Sequence, residues 1–378
     1  MNSASHLPVA VGVGPLSISD VVSVARHHAP IVIDDLAREA IAASRSVIEA
    51  LADDVRPHYG VSTGFGALAT KHIAPEQRVQ LQRSLVRSHA ASSGAEVDAE
   101  VVRATMLLRL STMATGRTGV RPIVADTYAA LLNAGITPVV GEYGSLGCSG
   151  DLAPLAHCAL AVMGEGEVRV GGELMSAASA LSSAGIEPVV LHEKEGLALI
   201  NGTDGMLGML SMAITDLTAL LTTADLSAAL SVEGLAGTDR VFAEDLHALR
   251  PHPGQQVSAA NMRAVLRDSG TIAAHATNGF TRVQDAYSLR CAPQVHGAAR
   301  DTVDHTRRVA DRELQSAIDN PVVTLDGRLE SNGNFHGAPV GYALDFLAIV
   351  AADVASMSER RTDRFLDSNR NGGLSAFL

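Results

Sequence analysis

From Thr203 to Leu235 the chain runs through Leu, Met, Ala and Thr without a proline. The composition is helical, and the stretch is apolar nearly all round. A helix with no polar stripe is stable only when other helices cover it, within a bundle or between subunits. A second such stretch, Gly337 to Met357, is punctuated by Asp345 and Asp353. Two helices of this kind demand helical partners. The residue supply fits, because aromatics are 3% of the 378 residues and Trp is absent. Small and straight-chain residues suit close-packed helices better than a β-sandwich.

The rest of the chain supports a mainly α fold with minor β-hairpins. Asp34 is placed to cap a helix whose apolar positions Leu36, Ala40, Ile41, Val47, Ile48 and Leu51 recur at helical spacing. Pro75 to Ser93, Glu96 to Ala114 and Ile123 to Ala134 read as further helices, the second entered through acidic residues that suit a helix N-terminus. Val168 to Val170 and Glu173 to Met175 flank Gly171-Gly172 as a hairpin, and Asp326-Gly327 marks another. Asn320-Pro321 reads as a helix end.

Charge and cysteine content exclude several classes. The formal charge is −12, with no dense Lys/Arg run, which argues against nucleic acid as a partner. The 3 Cys form no CxxC pair, so neither a disulfide framework nor a cysteine zinc site is expected, and Cys158 and Cys291 read as buried structural thiols. The His residues lack HExxH spacing, so no metal site is expected. With no basic-then-apolar leader and no charge-free apolar span, the expected setting is the cytoplasm, away from membranes.

The segment Gly144 to His157 carries the chemistry. By residue types alone it is a Gly-rich loop leading into a helix, with Ser149 or Asp151 as the cap. No Gly-Lys-Ser/Thr follows, so it is not a Walker loop. Cys148-Ser149-Gly150 allows more. Glycine lacks a Cβ, so the Gly150 nitrogen can fold back onto the carbonyl carbon of residue 148. Ring closure with loss of water, followed by dehydration of Ser149, would leave a 4-methylidene-imidazol-5-one, an electron-poor alkene made from the chain itself. Residue 148 contributes mainly its carbonyl, so Cys serves there as well as Ala.

With that loop, four other motifs make the chain resemble the histidine ammonia-lyases of the aromatic amino acid lyase family, from about Leu16 to the last residue. They are Tyr59 to Gly66, Asn201-Gly-Thr203, Gln284 to Arg290, and Ser331 to His336. The resemblance implies a lyase fold with a central bundle of long helices. It implies a tetramer with shared active sites, and a self-made methylidene-imidazolone from Cys148, Ser149 and Gly150 in place of any metal. The implied reaction is non-oxidative deamination of L-histidine to urocanate and ammonia, the first step of histidine degradation.

The same resemblance distributes roles that the residues alone leave open. Tyr59, otherwise a turn tyrosine, would be the base that removes the β-proton. His89, otherwise a solvated helix residue, would face the substrate ring. Ser88-His89 matches the histidine-using branch, where phenylalanine and tyrosine lyases carry Phe-Leu or His-Leu. Asn201, otherwise an N-cap, would hydrogen-bond the cofactor ring or substrate. Gln284, Tyr287 and Arg290 recur at one-turn spacings and can share a helix face. Arg290, otherwise a surface ion-pair partner, would clamp the α-carboxylate, Tyr287 would orient the reacting carbon, and Gln284 would support both. Phe335, otherwise core, would lie against the cofactor.

The expected division is 1–200, carrying the Cys-Ser-Gly loop, and 201–378, a helical-bundle domain left incomplete by a truncated C-terminus. Relatives would continue beyond Leu378 and supply an acidic partner for the imidazole. The alternatives are a phenylalanine or tyrosine ammonia-lyase or aminomutase, and an inactive fragment serving only in assembly.

Overall fold

The computed structural model describes residues 7–54, 56–64, 66, 69–277 and 283–375. The chain divides into two compact units, Met1–Met212 with Val309–Gly341, and Ala213–Arg308 with Tyr342–Leu378. Within the Tyr59 to Gly66 motif, Phe65 lies outside the described residues.

In the first unit, β1 (Val9–Val11) pairs in parallel with β2 (Ile31–Ile33), Val9 opposite Ile31. Helix α1 (Ile18–Ala25) joins them, opened by a capping box between Ser17 and Asp20. Helix α2 (Asp35–Ala52) starts as expected, with the Asp34 side chain accepting from the Ala37 amide at 2.6 Å. Helix α3 (Pro75–His89) stops four residues before the expected Ser93. The chain there leaves to form β3 (Ser93–Glu96), which pairs antiparallel with β5 (Gly141–Tyr143). Gly94, at φ +88°, takes a conformation that a helix cannot contain.

Helix α4 (Ala99–Ala114) is the core, buried at every position from Val102 to Ala114. Arg103 and Arg109 are among its buried residues. Arg103 donates to the carbonyls of Val24 and Leu132 at 2.9 and 3.3 Å. Helix α5 (Pro122–Asn133) leads to β4 (Ile136–Pro138), and α6 (Leu152–Val162) follows the Gly-rich loop. β4 pairs with β6 (Glu167–Val170), which pairs with β7 (Glu173–Ser176) across Gly171-Gly172 in the register the hairpin signal implied. After α7 (Ala177–Ala184) and the buried α8 (Glu195–Ile200), α9 (Asp204–Gly234) begins.

The second unit holds most of α9, then α10 (Glu244–Ala248), α11 (Pro253–Leu266), α12 (Gly270–Thr277), α13 (Tyr287–Arg290) and most of α14 (Ala292–Glu313) and α15 (Ala338–Leu366). Ala228, Val232, Phe242, Met262, Leu266, Ile272 and Leu289 form its apolar core. Asp225 of α9 is buried and satisfied by His296 at 2.9 Å, Arg300 at 2.6 Å and Asn261 at 2.8 Å. Glu195–Gly234 and Ala338–Leu366 are long and apolar enough to cross a membrane. The ion-paired Asp225 inside the first instead marks a core helix. Leu220, Leu226 and Leu230 of α9 and Tyr342, Phe346 and Ile349 of α15 remain exposed.

Asn320-Pro321 does not end a helix, since α14 stops at Glu313 and the intervening segment is held by side-chain contacts. Helix α15 outruns Met357, because the polar stretch after it stays helical and buries Arg361, whose guanidinium donates to the Ser288 carbonyl at 3.4 Å. The Asp326-Gly327 hairpin forms as expected, from β8 (Val322–Val323) and β9 (Leu329–Glu330).

The packing of α4 predicts a sharp contrast in stability. Leu110 is fully buried, whereas Leu249 is 82% exposed. Leu110→Ala should cost about 3 kcal/mol of unfolding free energy by urea denaturation, and Leu249→Ala less than about 0.5 kcal/mol.

Candidate active site

Between β5 and α6 the loop turns tightly. The Gly150 amide donates to the Gly147 carbonyl at 3.1 Å, leaving Cys148 exposed and Ser149 half-buried at the corner. Gly150 is buried at φ +83°, and a Cβ there would come within 2.5 Å of the Gly202 carbonyl oxygen. Only glycine fits, on both grounds. The turn thus points the Gly150 amide back at the Gly147 carbonyl.

Two distant segments close around this turn. The Asp151 amide donates to the Gly202 carbonyl at 2.7 Å, and the Gly337 amide donates to the Gly147 carbonyl at 2.8 Å. The Phe335 carbonyl lies 3.4 Å from the position of a Gly150 Cβ, and Phe335 itself is half-buried. The structure thus brings together Cys148, Ser149, Gly150, the Asn201-Gly202 pair and Phe335.

Asp151 occupies the N-cap position of α6 but makes no side-chain cap. Its buried carboxylate instead accepts from Ser145 Oγ at 2.6 Å and from the Met206 amide at 2.9 Å. Burial pushes its pKa up to about 6 despite these bonds. Asn201 is the C-cap of α8 rather than an N-cap of α9. Its Nδ2 donates to the Asn320 carbonyl at 2.9 Å. A carbonyl only accepts, so the nitrogen end of the amide must face it, and Oδ1 is left without a partner among the described residues.

His89 ends α3 and is half-buried, with Nδ1 2.9 Å from the Leu85 carbonyl. Because that carbonyl only accepts, the proton of the neutral ring sits on Nδ1 and Nε2 is left as an acceptor. Ser92 Oγ, 2.8 Å from His157 Nε2, ties the segment after His89 to α6. Tyr59 is half-buried in the segment between α2 and α3, its hydroxyl accepting from the Gly66 amide at 3.4 Å.

Gln284, Tyr287 and Arg290 belong to the second unit. They do not share a helix face, because α13 starts at Tyr287 and Gln284 precedes it. The neighbouring Asp285 is taken by the Thr238 amide at 2.7 Å, which holds that stretch off the helix. The Arg290 guanidinium stacks on the Tyr287 ring, 4.6 Å from its centroid, and its buried Nε has no partner among the described residues. Cys158 is buried, its thiol pushed up to about 12, while Cys291 is only half-buried.

Two buried charges that the sequence motifs do not include hold the segments around the loop. Arg109, fully buried, donates to the Asn201 carbonyl at 2.9 Å and the Ile318 carbonyl at 2.7 Å. Lys194, also fully buried, donates to the Thr118 carbonyl at 2.8 Å and pairs with Asp319 at 2.5 Å. The available signal was a charge set in an apolar run, as in Leu108-Arg109-Leu110.

Asp151 carries a pH prediction. Its pKa is raised above the unfolded value of 3.8, so the native state holds this proton more tightly. That contribution is present below about pH 4 and is lost as pH rises through about 6. Denaturation across this window should show wild type losing stability relative to Asp151→Asn. Parallel curves would place the shift elsewhere.

Comparison with known proteins fits this geometry. The model of the family described as aromatic amino acid lyase matches residues 16–378. A histidine ammonia-lyase of Streptomyces griseus is 63% identical over 371 residues, 98% of this chain and 72% of the relative. A tyrosine aminomutase from Streptomyces globisporus superposes with a TM-score of 0.90 at 37% identity, covering 98% of this chain and 73% of that one. A histidine ammonia-lyase from Trypanosoma cruzi gives 0.86 at 35%, covering 97% and 69%. With the turn at Gly147–Gly150 enclosed by Gly202 and Phe335, and with these matches along nearly its whole length, the chain belongs to the aromatic amino acid lyase family.

Proposed function

We propose that the protein removes ammonia from L-histidine without oxidation, giving urocanate in the first step of histidine degradation. The observation that carries the substrate is the 63% identity with the Streptomyces griseus histidine ammonia-lyase over 98% of this chain. We further propose that Cys148, Ser149 and Gly150 condense into a methylidene-imidazolone. The cradle supports this, since a Cβ at Gly150 would strike the Gly202 carbonyl and the 147–150 turn already folds the chain on itself. That group, when formed, supplies an electron-poor alkene, an electrophile absent from the ordinary side chains.

The chain's own residues supply binding and proton transfer. The Arg290 fork takes the α-carboxylate through paired N–H donors. His89 Nε2 accepts one imidazole N–H. Asn201 Oδ1 accepts an N–H of the substrate or of the ring. Tyr59 takes the β-proton as base, and Tyr287 and Gln284 orient the reacting carbon. Phe335 walls the site. A homotetramer with shared active sites is proposed, supported by the exposed apolar side chains of α9 and α15, and the cytoplasm is the proposed setting. A second reading, tyrosine or phenylalanine as substrate of a lyase or aminomutase, is favoured by the TM-score of 0.90 to the tyrosine aminomutase.

Catalytic efficiencies of the whole protein for histidine, phenylalanine and tyrosine separate the two readings. Histidine should lead, and replacing Ser88-His89 by Phe-Leu should move preference toward the apolar rings, since an unpaired buried imidazole nitrogen costs about 1–3 kcal/mol. A wild-type preference for phenylalanine or tyrosine would overturn the histidine reading. Tyr59→Phe should lower kcat by about 100-fold or more with little change in KM. For the cofactor, the intact mass should lie two waters below that of the unmodified chain, and Ser149→Ala, which has no hydroxyl to lose, should lack most activity. An active protein with the unmodified mass would sink the ring.

A further inference from the structure

We propose that Lys194 and Asp319 are positioning residues for the reaction, setting which end of the Asn201 amide faces the site. Their route to Asn201 is short and runs entirely through hydrogen bonds. Lys194 Nζ bridges the Thr118 carbonyl and Asp319 Oδ2, with both side chains wholly buried. This anchors residue 319, and the carbonyl of the next residue, Asn320, holds Asn201 Nδ2 at 2.9 Å. Arg109 locks the same two segments together from the other side, through the carbonyls of Asn201 and Ile318. The result is that Oδ1 is the one end of the Asn201 amide left for an incoming N–H donor.

The same anchor extends to the wall of the site. Asn332 Nδ2 donates to the Asp319 carbonyl at 3.0 Å, the Asn332 amide donates to Asn320 Oδ1 at 2.9 Å, and Asn332 Oδ1 accepts from the Asn334 amide at 2.9 Å. Phe335 follows directly. Lys194 also sits at φ +67°, a left-handed conformation that sterically penalises a residue with a side chain. Such a conformation persists only where its surroundings over-determine it. A buried ion pair kept in a strained backbone is a poor device for stability alone, because an apolar pair of similar volume often does as well.

The proposal rests on the catalytic reading of Asn201, and a double-mutant cycle separates the two. Turnover of histidine, thermal unfolding and intact mass are measured for wild type, Asp319→Asn, Asn201→Ala and the double variant. Asp319→Asn should lower kcat by about tenfold or more with KM changed by less than about threefold. In the Asn201→Ala background the same substitution should change kcat by less than about threefold. The intact mass should remain two waters below the unmodified chain in each. Equal losses of kcat in both backgrounds would overturn the positioning role and leave the catalytic reading of Asn201 standing. Unchanged kcat in Asn201→Ala alone would overturn that reading instead. Should Asp319→Asn not fold, the paired apolar replacement Lys194→Met with Asp319→Leu takes its place in the cycle. If that pair fails to fold as well, the charges serve the fold and the proposal falls.

Discussion

Arg109 and Lys194 carry two positive charges into the buried interior, and their hydrogen bonds tie together the segments around the candidate site. Desolvating such groups costs several kcal/mol each, recovered only by close and well-directed partners. Burial draws the Lys194 ammonium down from its ordinary pKa, and the Asp319 carboxylate opposes that fall. The partners come from far along the chain: Arg109 spans to residues 201 and 318, Lys194 to residues 118 and 319. Each bond therefore also fixes one loop against another. The turn at residues 147–150 is then enclosed by backbone bonds to Gly202 and Gly337.

Local chemistry was legible in the sequence wherever its cause was local. Asp34 caps α2, Gly171-Gly172 and Asp326-Gly327 turn their hairpins, and the Cys148-Ser149-Gly150 turn sits in a Gly-rich loop between β5 and α6. The misses were long-range. Helix α3 yields at Ala90 because β3 is claimed by a partner strand nearly fifty residues on, about which a window on residues 75–93 contains nothing. Asn201 reads as an N-cap by type, yet its amide is engaged by a carbonyl 119 residues away. Asp151 reads as a cap by position, yet Ser145 and Met206 take its carboxylate.

The His89 and Arg290 side chains are held in different ways. His89 has Nδ1 held by the Leu85 carbonyl within α3, which leaves Nε2 as the acceptor end of the neutral ring. Arg290 is held differently. Its guanidinium lies over the Tyr287 ring, and its buried Nε has no partner among the described residues.

The burial of α4 on all sides has a cost in definition. An amphipathic helix is told by its polar stripe which way to face, but α4 has no such stripe from Val102 to Ala114. Turning it about its long axis would exchange one greasy face for another with little penalty. Arg103 and Arg109 remove that freedom, one reaching the carbonyls of Val24 and Leu132, the other those of Asn201 and Ile318. Any other angle strands a guanidinium in hydrocarbon. The two arginines act as keys in a shaft, and the angular setting of the core helix is transmitted through the second of them to the loop that bears Asn201.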